Sequence, residues 1–381
     1  MTAAETILAD LVAFPSLPGL PNAAIAGHVR GLLAAAGVEA IDIPGPEGDR
    51  VNLFATIGPK VAGGIILSGH LDVVPTEGQA WTSDPFRLTR DGERLVARGA
   101  ADMKGFLAAV LAMVPAFAAM PLARPVHLAF SYDEEIGCRG APHLIEHLPE
   151  FCPAPAGCIV GEPTGMRPVL AHKGKHALGI VIEGKAGHSS DPALGANALY
   201  PAGELLLAIR DRAARLAAEG PFDPRFHPPH ATLQAGVIRG GTAVNIIPDR
   251  VEIEIEARAV PGQPPETVTA GVLADLAAIV GRAGPDIRAT HVERARYPAL
   301  ASADNPALAD LLARLTGHTP LASVSFGTEA GLFQAAGIPA IVCGPGEISR
   351  AHRADEYILP TELAACAAML RGLGDWLCAP G

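Results

Sequence analysis

The stretch GGIILSGHLDVVP, residues 63–75, decides the fold. Its first half is almost wholly apolar, the pattern of a strand buried on both faces, and such strands belong to parallel sheets covered by helices. Its second half sets His70 and Asp72 just past that strand. That is the carboxyl edge, where open parallel sheets bind ligands.

Outward from there, strands and helices alternate. Residues 23–36 read as an amphipathic helix, VNLFATI (51–57) as a strand and 105–118 as a helix. VHLAFSYD (126–133) and GCIVGEP (157–163) read as further strands. The alternation predicts an α/β architecture, a mostly parallel sheet with helices on both faces. The texture changes after residue 175. ALGIVIEGKAG (177–187), ATLQAGVIRGG (231–241) and RVEIEIEARAV (250–260) alternate with period two. In the last, Val251, Ile253 and Ile255 share one face and Glu252, Glu254 and Glu256 the other. That is an antiparallel sheet with one wet face. With helices expected at 195–218 and 265–281, residues 176–291 are expected to form an inserted α+β domain. It would interrupt a first domain made of residues 1–175 and 292–381. The parallel pattern is expected to resume near 292, with a helix at 305–316, a strand in AGIPAIVCGPG (336–346) and a last helix from 360.

Composition narrows the function. Among 381 residues, 40 are acidic and 29 basic, for a formal charge of −11. That balance argues against a nucleic-acid surface, which needs clustered Lys and Arg. Residues 105–123 carry no charge, close to the ~18-residue length of a membrane span. Pro115 and Pro121 interrupt the run and alanine fills much of it, so a buried helix is expected and no membrane partner. The start of the chain has Glu5 and Asp10 and no basic cluster, so no signal peptide is expected. Six scattered cysteines without a Cys-x-x-Cys pair suit a reduced, cytoplasmic protein.

The residues that follow the predicted strands carry the chemistry. They are His70 and Asp72, then Asp102 after the segment in the 90s, then Asp133-Glu134-Glu135, then Glu162; His352 lies near the end of the chain. Singly, each has an ordinary use: Asp102 could cap the helix that follows it, and Glu134-Glu135 could form a solvated turn. Together they set imidazoles and carboxylates on one rim, a donor set that suits zinc or a similar divalent ion. Two His and three carboxylates are too many for one tetrahedral ion and the right number for two ions that share a bridging carboxylate. The chain has no Gly-x-Ser-x-Gly elbow and no His-Glu-x-x-His helix.

The strings SGHLDVVP (68–75), ARGAADMKG (97–105), DEEIG (133–137) and GEPT (161–164) resemble those of the dinuclear-zinc deacylases and exopeptidases. AHKGK (171–175), GHSSDPALGANAL (187–199), GTEAG (327–331) and GPGEISRAHRADEY (344–357) are most similar to the branch that deacetylates N2-acetyl-L-ornithine. The resemblance implies that His70, Asp102 and Glu162 hold one ion and Asp102, Glu135 and His352 the other. The ions would be Zn2+ foremost, with Co2+ as the alternative, and the Asp102–Met103 peptide would be cis. Asp72, two residues from His70 and so on the same strand face, would orient the His70 ring with its carboxylate, and Glu134 would serve as general base for a water activated by the ions. His188 would stabilise the oxyanion across a homodimer formed through the inserted domain. Asn245 and Arg258 would hold the carboxylate of an N-acyl amino acid. Desuccinylase relatives are expected to carry Thr-Ser-Asp where this chain has Thr328-Glu329-Ala330. An acid there suits a side-chain ammonium, so Glu329 is expected at the amine end of the substrate. The alternatives are a desuccinylase, an aminoacylase or a non-catalytic relative that binds without turnover.

Overall fold

A computed structural model describes residues 1–301 and 306–379. The chain divides into two units. The first holds residues 1–171, 300–323 and 328–381, and the second holds 172–299 and 324–327.

In the first unit, helices α1 (Ala3–Val12) and α2 (Ala23–Ala35) lead into strands β1 (Ala40–Pro44), β2 (Val51–Ile57) and β3 (Ile65–His70). A short ribbon follows, β4 (Thr89–Asp91) and β5 (Arg94–Val96), and then α3 (Lys104–Ala119), β6 (Val126–Ser131), α4 (Ala141–Phe151) and β7 (Gly157–Pro163). A six-stranded sheet forms, in which β6, β3 and β7 run parallel while β1 and β2 are antiparallel at one edge. Every residue of β3, β6 and β7 is buried. Ile65 and Leu67 face a core that includes Leu107, Val110 and Val114 of α3. On the opposite face, Phe54 of β2 meets Phe151 of α4, with ring centroids 6.3 Å apart. Helices therefore cover both faces, and the architecture is mixed α/β with a mostly parallel sheet.

The uncharged run is α3, buried along most of its length despite Pro115. No described helix is long and apolar enough to cross a membrane. Its close seat on the sheet depends on Gly161: a Cβ there would lie 2.1 Å from the Phe106 ring. That contact sets β7, and with it Glu162, directly beneath the start of α3.

The second unit begins around β8 (Ala171–His172) and contains β9 (Gly174–Glu183), α5 (Leu199–Glu219), β10 (Thr232–Gly240), β11 (Arg250–Ala259), α6 (Pro265–Ala283) and β12 (Arg288–Tyr297). Its sheet is antiparallel, in the order β10-β11-β9-β12. Val251, Ile253 and Ile255 are buried with Leu205 of α5 and Val272 of α6, while Glu252, Glu254 and Glu256 stay partly exposed. Each such aliphatic side chain taken from water is worth roughly 1.5–3 kcal/mol.

The chain returns to the first unit with β13 (Leu300–Ala301), α7 (Pro306–Thr316), α8 (Ala330–Ala335), β14 (Ala340–Gly344), β15 (Tyr357–Ile358) and α9 (Pro360–Cys378). β14 adds to the main sheet parallel to β7. Residue 305, where the seventh helix is expected to start, lies outside the described residues. All six cysteines are free, and all but Cys378 are buried.

Two expectations need correction. The parallel pattern does not resume at 292, because residues 288–297 form β12, an edge strand of the second sheet. β12 is polar on both faces and exposed over most of its length, so its alternation carries no signal. The second unit accordingly runs on to Ala299, and the expected junction at 291 falls inside a strand. The segment in the 90s is not a strand of the parallel sheet either. β5 pairs with β4 and β15 in a separate three-stranded ribbon.

Candidate metal centre

Three neighbouring strands of the main sheet deliver most of the site. His70 ends β3, Glu162 lies within β7, and the loop after β6 carries Asp133, Glu134 and Glu135. Asp102 arrives from the loop between the ribbon strand β5 and α3. It does not cap α3: Met103 holds the cap position, with no side-chain hydrogen bond. The Asp102–Met103 peptide is cis. His352 comes from the loop before β15 and has a left-handed backbone, φ 60°. Asp133 (φ 54°) and Cys138 (φ 56°) share that conformation, which is uncommon in L-residues and gathers at functional loops.

These side chains converge in two groups. His70, Asp102 and Glu162 form one, and Asp102, Glu135 and His352 the other. His70 Nε2 lies 3.1 Å from Asp102 Oδ1 and 3.7 Å from Glu162 Oε1. His352 Nε2 lies 3.3 Å from Asp102 Oδ2 and 3.0 Å from Glu135 Oε2. Tetrahedral zinc with bonds of 2.0–2.2 Å separates its ligand atoms by about 3.3–3.6 Å. The observed edges bracket that spacing, and the two oxygens of Asp102 face different imidazoles. The donor set therefore fits two divalent ions with Asp102 between them.

The electrostatics agree. Burial opposes the charge on Asp102, but hydrogen bonds to His352 and His70 hold its carboxyl well below the usual range. His352 is pushed up to about 10 by Asp102 and Glu135. Burial, and then the Asp102 charge, raises Glu135 to about 7 and Glu162 well above its ordinary value. Protons are thus retained where cations would sit, and metal uptake by such a cluster releases them.

Asp72 acts differently from the expectation. The His70 ring is oriented by the Asp72 backbone carbonyl, which lies 2.9 Å from Nδ1. The Asp72 carboxylate is 3.6 Å from that nitrogen, too far for a hydrogen bond. It accepts instead from the amide N–H of Glu134 and of Glu135, each at 3.1 Å. An Nδ1–H that donates to the carbonyl leaves the Nε2 lone pair for a metal, so the ring keeps the required tautomer. Glu134 is raised to about 8 by burial, with Glu135, Glu329 and Asp102 adding and His70 opposing.

Glu329 does not lie open to a substrate amine. It is 1% exposed, and its carboxylate accepts from Ser68 Oγ at 3.2 Å and from Ser131 Oγ. It ties β3 to β6 from the segment ahead of α8. Sequence reading missed both serines, although Ser68 shares a strand face with His70 at period two. It also missed Glu356, whose carboxylate accepts the amide N–H of Ala101 and Asp102.

His188, Asn245 and Arg258 belong to the second unit. His188 is exposed, and its Nδ1 accepts from the Ser190 amide at 3.1 Å, which places the ring proton on Nε2. The Asn245 carbonyl accepts from the Ser189 amide at 3.1 Å, so these two candidates share one patch. Arg258 is partly buried; its Nε donates to Glu256 at 2.7 Å and its Nη1 to the Tyr297 hydroxyl at 2.9 Å.

The family model described as peptidase family M20/M25/M40 matches residues 66–374. The acetylornithine deacetylase of Myxococcus xanthus is 37% identical over 97% of this chain and 96% of its own length. Among solved structures, an M20 family metallo-carboxypeptidase from Sulfolobus solfataricus superposes with a TM-score of 0.80 at 20% identity, covering 99% of this chain and all (100%) of that one. A dinuclear metal-binding peptidase of the same family from Bacillus subtilis gives 0.63 at 18% identity, with 98% of each chain covered.

Proposed function

The chain belongs to peptidase family M20/M25/M40 and is a hydrolase acting on amide bonds; on that premise we propose that it removes the acetyl group from N2-acetyl-L-ornithine, giving L-ornithine and acetate for arginine biosynthesis. The observation that carries the substrate is the likeness to the Myxococcus enzyme along nearly the whole chain. Glu329, with its carboxylate buried between two serines, adds nothing to that choice.

His70, Asp102 and Glu162 would hold one divalent ion and Asp102, Glu135 and His352 the second, with Zn2+ preferred over Co2+ on the mixed imidazole and carboxylate donors. Ions bound there supply Lewis acidity and lower the pKa of water towards ~7. Glu134 is the general base. Burial raises its affinity for a proton, so its carboxylate can take a proton from the attacking water and pass it to the leaving nitrogen. Asp72 holds the two amides that carry Glu134 and Glu135 and so fixes where both carboxylates point. His188, with its proton on Nε2, is the donor for the developing oxyanion, and Asn245 and Arg258 take the substrate carboxylate. Arg258 suits that task because Glu256 and Tyr297 already orient its guanidinium.

Homodimerisation through the second unit is supported by exposed Tyr200, Val244 and Ile246 around a surface pocket of about 720 Å³. The reduced cysteines suit the cytoplasm.

The test is a panel of N-acyl amino acids, N2-acetylornithine, N-acetylmethionine and N-succinyl-diaminopimelate, assayed with the metal-loaded full chain. The highest kcat/KM is expected on N2-acetylornithine, lost with a chelator and regained with Zn2+ or Co2+. A higher value on either other compound refutes the substrate.

A further inference from the structure

We propose that the buried Arg98–Glu356 ion pair, with Gln79, is a positioning strap that sets the metal affinity of the Asp102–Glu135–His352 group. The proposal rests on the two-ion reading above. Arg98 and Glu356 are each 1% exposed. Glu356 Oε2 accepts from Arg98 Nη1 at 2.6 Å, while Oε1 accepts from the amides of Ala101 at 2.9 Å and Asp102 at 3.0 Å. Arg98 Nη1 also donates to the Arg353 carbonyl at 3.3 Å, and its Nη2 donates to Gln79 Oε1. Gln79 Nε2 then donates to the His352 carbonyl at 3.2 Å. A continuous chain of hydrogen bonds thus runs from the backbone of Asp102 to the backbone of His352. Trp81 closes it from outside, with its ring 5.0 Å from the Arg98 guanidinium and its Nε1 donating to Gln79 at 3.1 Å.

The strap is poorly explained as a source of stability. Buried ion pairs often contribute less than apolar residues of the same volume, and Arg98 Nε is buried without a hydrogen-bond partner among the described residues. Its placement explains it better. The His352 side chain is 51% exposed on a left-handed loop residue, so little packing holds it. His70 and Glu162 sit on strands of the main sheet, and among the described residues no hydrogen bond from Arg98, Gln79 or Glu356 reaches either. Asp102 serves both groups, but its tie to the strand-borne His70, at 3.1 Å, does not depend on the strap, so loss of the strap should loosen the His352 group more than the other.

The experiment titrates chelator-treated full-length protein with Co2+, following heat and visible absorption. Wild type is expected to bind two ions. Glu356→Gln should weaken one of them by about 10–100-fold, the usual effect of losing a partner behind a metal ligand, and the other much less. Gln79→Ala, at a half-buried position, should weaken the same ion by less, and should add nothing in a His352→Ala background. Wild type binding fewer than two ions overturns the strap through the two-ion reading itself. Wild type binding two, with folded Glu356→Gln and Gln79→Ala unchanged or weakened equally at both, overturns the strap alone.

Discussion

The two candidate metal groups share Asp102 but stand on different ground. His70 and Glu162 are buried on adjacent parallel strands, where the sheet hydrogen bonds that build the core also fix these two candidate ligands. Glu135 and His352 come from two loops, and the imidazole is half exposed. One site is a product of the core; the other must be assembled by contacts that belong to the site alone. The difference teaches why so many supporting hydrogen bonds crowd the second group: the Asp72 carboxylate under Glu135, and Glu356 and Gln79 behind Asp102 and His352.

The largest expected effect comes from a change that leaves both groups whole. Glu134→Gln removes the proposed proton carrier while keeping its shape, so kcat should fall by about 10²–10⁴-fold. Two bound ions should remain, as checked by metal analysis of the dialysed protein. A variant that keeps most of its turnover would show that another group carries the proton.

Truncating the two imidazoles separates the groups next. His70→Ala leaves Glu162 buried without its imidazole and Asp102 with only His352, and should cost the metal-free fold roughly 3 kcal/mol. His352→Ala, at a half-exposed residue, should cost under about 1 kcal/mol. Urea unfolding under chelator measures both, and equal losses would mean that the two sites lean on the core alike. With metal restored, His352→Ala should keep one ion in the His70 group.

The same contrast explains what could be seen in the sequence. The apolar run 63–70 exposed the parallel sheet, and with it the rim on which His70 and Glu162 sit, because burial on both faces leaves a compositional mark. The alternation of residues 251–256 marked the second sheet for the opposite reason, one wet face. β12 escaped because an edge strand with polar residues on both sides has no period to read. Asp102 and His352 could be picked out by residue type and by resemblance, but their supports could not. Glu356 meets Asp102 across more than 250 positions of chain, through a backbone amide that any residue would offer. Asp72 was expected to use its side chain on His70 because the two are close in sequence; the backbone carbonyl took that role and freed the carboxylate for the neighbouring loop.

Glu329 gives the smallest expected effect on turnover and probes the core-built group from beneath. Its serine partner Ser68 lies two residues before His70 on the same strand, so Glu329 supports the His70 side and has no contact with the His352 loop among its hydrogen bonds. Burial raises its pKa, so the protonated acid is accessible and a glutamine is a close mimic of it. Glu329→Gln should therefore cost only about 1 kcal/mol of stability, the scale of one hydrogen bond re-formed less well. Its effect on kcat/KM should be modest and equal for N2-acetylornithine and N-acetylmethionine, because a carboxylate enclosed by two serines does not distinguish their side chains. A loss confined to N2-acetylornithine would return Glu329 to the amine end of the substrate, and would mean that the serine contacts open when substrate binds.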